Sequence, residues 1–365
     1  MKVLFIVNIP SPYRVDFFNE LGKLCDLTVL YEKRNASDRE WSASSAVSFR
    51  EVFLRGLSTR ADAALSMQII KYLKDDQYDV IVIGGYSTPT GMLATEYLSL
   101  KNIPYILSTD GGYIKDESKA IRRVKKHFIS KASAWLSTSK VTDKYLCYYG
   151  ANQEQIYRYP FTSLFERDIL KKTLEYNEKK QLKVELGIEH EQVVVAVGQF
   201  IHRKGYDVLL QACGDICSNV GVYIIGGTPT DEYLLIHDKY NLKNVYYLPF
   251  QEKEVLKKYY MSSDIFVLPT REDIWGLVIN EAMAAGLPIV TTDKCIAGVE
   301  LVKDGFNGYI VPSNNEKAIA EKINAILNNN SLRHSMSEHA IETISTYTLE
   351  NMAKEHIRIF NKILS

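Results

Sequence analysis

The stretch REDIWGLVINEAMAAGLPIV, residues 271–290, combines acids, a glycine and a run of small residues directly after an apolar segment. The apolar segment Ile265–Leu268 is predicted to form a short buried strand, and the residues after Gly276 favour a helix. A helix that begins at Leu277 and Val278 leaves its first backbone N–H groups without intrahelical partners, and such groups bind phosphate. The stretch therefore indicates a phosphate site between a strand and a helix.

Two carboxylates flank this predicted phosphate site. Asp273 precedes the helix, and Glu281 lies inside it, about one turn from its start. Carboxylates beside a phosphate site are useful when they accept hydrogen bonds from the hydroxyl groups of a sugar and a ribose. The alternative, which the residues leave open, is that Asp273 only caps the helix and Glu281 is solvated.

A second loop, GQFIHRKGYDVLLQA, follows the apolar run 193–197 and precedes another predicted helix. Its Arg203 and Lys204 stand just before Gly205, where two cations are able to reach a diphosphate. The alternative is an ordinary exposed basic turn. Two further glycine-containing turns, IIGG and DGFNGYIVP, are weak signals by themselves, but the order and spacing of all four loops together form a strong one.

The elements that must position these loops alternate along the chain. Short apolar strands and amphipathic helical patterns, such as 14–24 and 61–74, indicate two doubly wound α/β domains with parallel sheets covered on both faces. The strands predicted for the first half are Val3–Val7, Leu27–Leu30, Val80–Ile83, Tyr105–Leu107 and Trp135–Ser137. Those predicted for the second half are Val193–Val197, Val222–Ile225, Val245–Leu248, Ile265–Leu268 and Pro288–Thr291.

The change of pattern also predicts the domain boundaries. We expect an N-terminal domain over 1–170, a charged linker over 171–190 and a C-terminal domain over 191–348. The amphipathic last helix, about 349–365, is expected to pack back on the first domain. Open α/β domains bind ligands at the carboxyl ends of their strands, and we expect these ends to face each other across a cleft.

Composition excludes several classes of protein. The chain is 46% hydrophobic, and its 44 Lys and Arg balance its 44 Asp and Glu, which argues against a general nucleic-acid binder. The five cysteines have no metal-ligand spacing and suit reduced thiols in a cytosolic protein. The apolar run Val3–Val7 is too short for a signal peptide, and no segment reaches the length of about 20 apolar residues that a membrane helix needs. We expect a cytoplasmic protein.

The segment SKAIRRVKKHFISKAS, residues 118–133, interleaves Lys and Arg with apolar residues. A basic amphipathic helix of this kind suits contact with an anionic membrane surface, which would place the protein at the inner face of the membrane beside a lipid-linked acceptor. The alternative is a solvated helix whose basic residues flank a core stripe. No aromatic interleaving accompanies the charges, so a nucleic-acid role is not predicted.

The order VGQFIHRKG, IIGG, VLPTREDIWGLVINEAMAAGLPIV, DGFNGYIVP resembles the retaining family 4 glycosyltransferases of the GT-B fold, over roughly residues 190–315. The resemblance implies two Rossmann-like domains, an N-terminal one that binds an acceptor and a C-terminal one that binds a nucleotide-sugar. It implies a hexosyltransferase-type reaction that moves a sugar from a UDP- or GDP-linked donor to a glycan or lipid-linked acceptor. The resemblance also suggests a pathway, which is surface polysaccharide or glycolipid biosynthesis.

The resemblance also assigns roles to residues. In the family, two acids spaced Glu-x7-Glu contact the donated sugar and the ribose, and these places fall on Asp273 and Glu281. The lysine that contacts the diphosphate matches Lys204, and Arg203 supplies further charge because Gln199 occupies a place where relatives often carry Arg. The backbone at Gly276, Leu277 and Val278 completes the implied donor site.

In the first domain, ILSTDGGY places Asp110 where many relatives carry a His near the reacting sugar carbon. Asp110 is therefore a candidate catalytic residue, together with Lys204 and Asp273, and the alternative is an Asp that opens a Gly-Gly turn. Tyr13 and Arg14 follow the first strand. Arg14 suits either an acceptor phosphate or an ion pair with an acid in the first helix.

No metal or cofactor is expected beyond the nucleotide-sugar co-substrate. No Asp-x-Asp pair follows a predicted strand, and the tandem Asp75-Asp76 is predicted at a helix end. Two other functions remain open: a non-catalytic GT-B partner or sugar-binding subunit, because positions 110, 199 and 273 depart from the family pattern, and a GT-B nucleotide-sugar epimerase or phosphorylase.

Overall fold

The computed structural model describes residues 1–35, 45–74, 77–217 and 219–365. The Asp75-Asp76 pair lies outside these residues. The chain divides into two compact units, which are described separately below. The first contains Met1–Ser163 and Tyr347–Ser365, and the second contains Leu164–Thr346.

The first unit is built on a seven-stranded parallel sheet with the strand order β3-β2-β1-β6-β7-β8-β9, and a small antiparallel hairpin, β4-β5, lies outside it. The five central strands of this sheet, β2, β1, β6, β7 and β8, are almost completely buried because helices cover the sheet. In chain order they are β1 (Lys2–Val7), β2 (Asp26–Tyr31), β3 (Arg50–Phe53), β4 (Leu57–Arg60), β5 (Ala63–Leu65), β6 (Val80–Ile83), β7 (Ile106–Ser108), β8 (Ala134–Ser137) and β9 (Ile156–Arg158).

Four helices accompany these strands: α1 (Pro12–Gly22), α2 (Pro89–Leu100), α3 (Lys119–Ile129) and α4 (Lys140–Tyr148). The helix predicted for 61–74 is wrong, because this segment forms β5 and then a short 3-10 helix, Met67–Tyr72. Ile69 and Leu73 are both fully buried and lie four residues apart. This spacing matches the apolar period of an α-helix, although the segment is not one.

The second unit contains a six-stranded parallel sheet with the order β12-β11-β10-β13-β14-β15. Its strands are β10 (Gln192–Val197), β11 (Val220–Ile225), β12 (Val245–Leu248), β13 (Ile265–Leu268), β14 (Ile289–Thr292) and β15 (Gly308–Val311). The strand order turns back between β10 and β13. In doubly wound sheets, ligands bind outside the carboxyl ends of the strands at such a turning point.

The described residues of the second unit form eight α-helices: α5 (Tyr176–Leu186), α6 (Tyr206–Ala212), α7 (Asp231–Lys239), α8 (Lys253–Ser262), α9 (Leu277–Ala284), α10 (Ile296–Leu301), α11 (Glu316–Leu327) and α12 (Asn330–Ile344). The segment 171–190, expected to be a linker, contains α5. Lys179 on this helix donates to the carbonyl of Ser263 at 2.7 Å, at the end of α8. Because α5 is highly charged, the composition of this segment does not reveal that the helix packs at the end of α8.

The last helix, α13 (Leu349–Leu364), lies in the first unit and packs against α1. Thr348 caps its start by accepting a hydrogen bond from the amide of Asn351 at 3.1 Å. One face of α13 is buried, with His356 and Phe360 among the aromatic side chains of β1 and α1.

Candidate functional site

The candidate site of the second unit lies at the carboxyl ends of β10 and β13. The loop after β10 ends in a 3-10 helix, His202–Lys204, and the loop after β13 runs from Pro269 to Gly276. The backbone carbonyl of Arg203, in the loop after β10, binds two residues of the loop after β13. It accepts hydrogen bonds from the Thr270 hydroxyl and the Arg271 amide, each at 2.8 Å.

Lys204 and Asp273, two of the predicted site residues, are in direct contact. The Lys204 ammonium lies 2.7 Å from the Asp273 carboxylate, and only 12% of each side chain is exposed. Arg203 approaches the same carboxylate oxygen at 3.5 Å and donates to the carbonyl of Glu272 at 2.8 Å. Two cations therefore meet one carboxylate at this edge of the sheet.

Asp273 does not act as a helix cap. Its amide donates to the carbonyl of Lys294 at 2.8 Å, its carbonyl accepts from the amide of Ile296 at 3.1 Å, and Gly276 occupies the N-cap position of α9. The backbone of Asp273 is thus held by the segment after β14, and its side chain points to Lys204. The sequence-based alternative of a helix-capping Asp is wrong.

Gly276 is required where α9 begins. Its φ of 98° lies in the left-handed region, and a Cβ atom there would meet the sulfur of Cys295 at 2.9 Å. Burial and the charge of Asp273 raise the pKa of the Cys295 thiol to about 12, so it stays protonated and donates to the carbonyl of Trp275. The close packing fixes the start of α9, where the amides of Leu277 and Val278 belong to the first turn.

Glu281 lies on α9 and contacts a buried tyrosine. The hydroxyl of Tyr260, on α8, donates to the Glu281 carboxylate at 3.1 Å. Burial, together with the negative charge of Glu281, raises the pKa of Tyr260 well above its ordinary value, so this hydroxyl remains a donor. The contact orients Glu281, which was predicted as a site residue, whereas Tyr260 was not predicted.

Arg271 was also missed, although it lies inside the stretch that first suggested the site. Its guanidinium binds Asp207 through two nitrogen atoms, at 2.8 and 2.5 Å, and donates to Asn314 at 2.6 Å. Burial alone would raise the pKa of Asp207, but Arg271 lowers it below its ordinary value. The pair joins the start of α6 to the loop after β13, and no spacing in the sequence reveals that these two segments meet.

Glycines in the neighbouring loops leave room for Lys204. A Cβ at Gly198 would lie 3.2 Å from the Lys204 Cε, and one at Gly226 would lie 2.5 Å from the carbonyl oxygen of Gly198. The IIGG turn thus permits the loops after β10 and β11 to approach each other. By contrast, DGFNGYIVP forms a turn that leads into β15, in which Asp304 accepts from the amide of Ile310 at 2.8 Å.

In the first unit, Asp110 follows β7 and lies against two residues of α1. The Arg14 guanidinium lies 2.6 Å from the Asp110 carboxylate, and the Tyr13 hydroxyl donates to the same oxygen at 3.1 Å. Burial alone would lower the pKa of Arg14, but Asp110, with Tyr13 and Tyr159, raises it above its ordinary value. Of the two roles left open for Arg14, the structure shows an ion pair, but its acid lies in the loop after β7 and not in the first helix.

The basic helix α3 exposes its apolar residues as well as its charges. Ile121 and Val124 are 51% and 49% exposed, and Ile129 is the one residue of this helix that is buried. Arg123 and Lys126 are exposed beside them. The core stripe expected for a plain solvated helix is therefore absent from α3.

Two features of the described residues bear on other functions. No three or more His, Cys, Asp or Glu side chains in this part of the chain are grouped so that they could hold a metal ion. None of the helices in the same residues is both long and apolar enough to cross a bilayer.

Residues 178–343 match the model of the family described as glycosyl transferases group 1. An uncharacterized glycosyltransferase of Methanocaldococcus jannaschii is 26% identical over 301 residues, which cover 78% of this chain and 75% of that protein. The capsular polysaccharide biosynthesis glycosyltransferase CapM of Staphylococcus aureus is 30% identical over 45% of this chain and 44% of its own length. Several other curated relatives are matched over about half of their length.

Among solved structures, Anabaena HepE in complex with UDP has a TM-score of 0.79 at 16% identity, and the match covers 99% of this chain and all of that one. The chain has the GT-B fold. The predicted fold class, α/β with two Rossmann-like domains, is confirmed. The two relatives named above are glycosyltransferases by name, and the predicted motifs at 190–315 lie within the segment 178–343 that matches the group 1 family model.

Proposed function

We propose that this GT-B protein is a retaining hexosyltransferase that moves a sugar from a nucleotide-sugar donor to a glycan or lipid-linked acceptor. Surface polysaccharide or glycolipid biosynthesis is the proposed pathway, and relatives such as CapM carry names from it. The observation that carries the proposal is the contact between Lys204 and Asp273 at the carboxyl edge of the second sheet, beside the start of α9.

This arrangement suits a nucleotide diphosphate joined to a sugar. Lys204 and Arg203 provide positive charge for the diphosphate, and the first amides of α9 provide backbone donors. Asp273 and Glu281 accept hydrogen bonds from hydroxyl groups, and in the proposed complex Asp273 exchanges its contact with Lys204 for a contact with the donor sugar. Anabaena HepE, which shares the fold, has been solved with UDP and with UDP-glucose, so UDP-sugars are the first donors to test.

In the proposed reaction, the bond between the anomeric carbon and the β-phosphate oxygen breaks, and the acceptor oxygen forms a new bond to the same carbon. The electron pair of the broken bond stays on the phosphate, which takes the proton that the acceptor oxygen loses. Lys204 and Arg203 stabilise the negative charge that grows on this phosphate. Asp110 is the proposed catalytic residue of the first unit, and Arg14, which pairs with it after β7, is proposed to bind an acceptor phosphate.

A thermal-shift screen with UDP, GDP, ADP and their common sugars tests the donor site directly, because a ligand of the folded state raises the melting temperature. We expect a clear shift with one nucleotide family and its loss in Glu281→Ala. A shift without sugar transfer to any acceptor would favour a non-catalytic relative. Release of free nucleotide without an acceptor would favour an epimerase. No shift with any nucleotide would overturn the proposal.

We further propose that catalysis needs no divalent metal, because Lys204 and Arg203 offer fixed positive charge for the diphosphate. Turnover is expected to be the same with and without EDTA. A loss of activity with EDTA that Mg²⁺ or Mn²⁺ restores would contradict this part of the proposal.

We also propose that α3 contacts anionic lipid, which would bring the protein to a lipid-linked acceptor. Its exposed Ile121 and Val124 offer apolar contact, and Arg123 and Lys126 offer charge. Each juxtamembrane charge contributes about 1 kcal/mol. Sedimentation with phosphatidylglycerol vesicles is therefore expected to weaken roughly tenfold or more in Arg123→Gln/Lys126→Gln. Lys354→Gln/Lys362→Gln on α13 is the matched control, and equal losses in both would contradict the assignment to α3.

A further inference from the structure

The second unit contains a large recess at the opposite edge of its sheet from the candidate donor site. The recess has a volume of about 670 Å³ and is bordered by α5, the segment before β10, the residue before β13 and the start of α12. Binding sites for small molecules commonly have volumes of about 300 to 1,000 Å³. The recess therefore has the size of a small-molecule site, and the donor-site residues are not among its lining.

Three cations in this recess surround one buried carboxylate. Asp264 precedes β13, and its oxygens lie 3.5 Å from Lys183, 3.7 Å from Lys179 and 3.9 Å from Arg333. The side chain of Asp264 is 9% exposed, and the three cations are between 12% and 22% exposed. One carboxylate neutralises one charge, so this cluster keeps an excess of two positive charges.

Neutral oxygen atoms, and not further carboxylates, hold the three cations in place. Lys179 donates to the carbonyl of Ser263 at 2.7 Å, and Lys183 donates to the carbonyl of Glu191 at 2.5 Å. Arg333 donates to the side chain of Asn330 at 2.9 Å and to a backbone carbonyl at 3.3 Å. Burial, with the nearby charges of Lys183 and Arg333, lowers the pKa of Lys179, as expected where like charges are crowded.

The remaining polar groups of the lining do not cancel this charge. Lys180 adds a fourth cation, and the exposed side chains of Glu189 and Glu191 lie at the border of the recess, so the lining as a whole keeps a positive balance. His190 also lines the recess, and its buried Nδ1 has no hydrogen-bond partner among the described residues. The helix α12 begins at Asn330, which lines the recess, so the positive end of its dipole lies there.

We infer that this recess is a second anion-binding site, and that its ligand is the phosphate group of a small soluble phosphorylated molecule. A phosphate monoester carries close to two negative charges at neutral pH, which matches the excess of the cluster. The planar guanidinium of Arg333 and the two ammonium groups are the side chains that proteins use to bind phosphate. The inference does not depend on the proposed transferase activity, because no residue of the donor site takes part in it.

Titration calorimetry with inorganic phosphate and with a soluble phosphate monoester, at constant ionic strength, tests the site. Arg333→Gln is expected to weaken binding about tenfold or more, since it removes a charged hydrogen-bonding partner. Lys258→Gln removes a surface cation of α8 that is paired with Glu185 of α5. It is the matched control and is expected to bind phosphate like the wild type. Lys204→Ala changes the candidate donor site and not the recess, so this variant is expected to bind phosphate like the wild type.

Asp264→Asn gives an independent test in the opposite direction. Removal of the carboxylate leaves three cations without their counter-charge, so phosphate is expected to bind roughly fourfold tighter or more. In the wild type, the Val193 amide donates to the Asp264 carboxylate at 2.9 Å, and the side-chain amide oxygen of the variant is still able to accept this hydrogen bond. Thermal melting followed by circular dichroism checks that the variant is folded.

Three results would overturn the inference. The first is the absence of phosphate binding by the wild type at millimolar concentration. The second is binding that Lys204→Ala abolishes and that Arg333→Gln and Asp264→Asn leave unchanged. The third is sedimentation with phosphatidic acid vesicles that depends on Arg333 while soluble phosphates do not bind, which would make the ligand a lipid headgroup.

Discussion

The ammonium group of Lys204 lies 2.7 Å from the carboxylate of Asp273, and both side chains are largely shielded from water. The two residues are 69 positions apart in the chain and belong to the loops after β10 and β13, the strands on either side of the turning point of the sheet. Each partner neutralises the charge of the other. A nucleotide-sugar bound as proposed would have to offer both a negative group for Lys204 and hydroxyl groups for Asp273.

Lys204→Ala is expected to lower kcat by roughly 10²- to 10³-fold, with a smaller change in KM, because the ammonium acts on phosphate charge that grows in the transition state. Steady-state kinetics with the donor from the thermal-shift screen measures both constants. Lys258→Ala removes an exposed cation elsewhere in the unit and is expected to leave them unchanged. A rise in KM with kcat unchanged would show that Lys204 is only a binding contact.

Glu281→Ala is expected to weaken donor binding by about 1 to 3 kcal/mol, because a carboxylate that accepts hydrogen bonds is lost. Tyr260→Phe removes the hydroxyl that orients Glu281 at 3.1 Å and leaves the carboxylate in place, so a loss of about 1 kcal/mol or less is expected. Titration of both variants with the nucleotide gives the two dissociation constants. A Tyr260→Phe loss as large as that of Glu281→Ala, or no loss in Glu281→Ala, would contradict these roles.

Gly205→Ala is expected to destabilise the protein more than Gly187→Ala. Both glycines are left-handed, with φ of 70° and 67°, so each substitution carries a backbone cost of about 1 to 2 kcal/mol. A Cβ at Gly205 would also lie 2.1 Å from the carbonyl oxygen of Pro269, whereas a Cβ at Gly187 meets nothing within 4 Å. Urea unfolding of the two variants isolates the clash. Equal losses would show that the loops after β10 and β13 adjust freely.

The positions of most strands, and the presence of candidate site residues at the ends of β10 and β13, were accessible from the sequence for a physical reason. Buried parallel strands must be apolar on both faces, and ligands bind where such strands end, so an apolar run followed by glycine and charge marks both features. The contact of Lys204 with Asp273 agrees with that logic. The short strands β3, β4, β5, β9 and β15 were not predicted, because strands of three or four residues, several of them of mixed polarity, carry little periodic signal.

Contacts between segments that are distant in the chain could not be predicted from the sequence. Arg271 and Asp207 both stand in quoted motifs, yet their pairing depends on how α6 lies against the loop after β13. The four cations of α5 and α12 that border the recess read as ordinary charged helix surface, since nothing in their spacing reveals that three of them surround Asp264. Helix and strand periodicity reports which face is buried, but it does not report which charged groups meet across the fold.

The stability of the first unit is expected to depend on pH through His356. This side chain is 1% exposed and lies among Phe17, Tyr159 and Phe360, and burial lowers its pKa from 6.5 to about 4. The folded state keeps the imidazole neutral, whereas the unfolded chain takes up a proton below pH 6.5. The free energy of unfolding should therefore fall by up to about 1.4 kcal/mol per pH unit as the pH drops from 6.5 towards 4.

Comparison with His356→Phe, which keeps an aromatic ring but cannot titrate, isolates this effect. Glu32 gives a slope of the opposite sign, because burial raises its pKa to about 7 and stability is lost as the pH rises from 4.5 through 7. Both proteins contain Glu32, so its contribution cancels in the difference between their unfolding free energies. Urea unfolding between pH 4 and pH 7 is expected to show a stability advantage of His356→Phe that grows as the pH falls below 6.5. Parallel curves across this range would mean that the imidazole takes up its proton at the same pH in the folded state as in the unfolded chain.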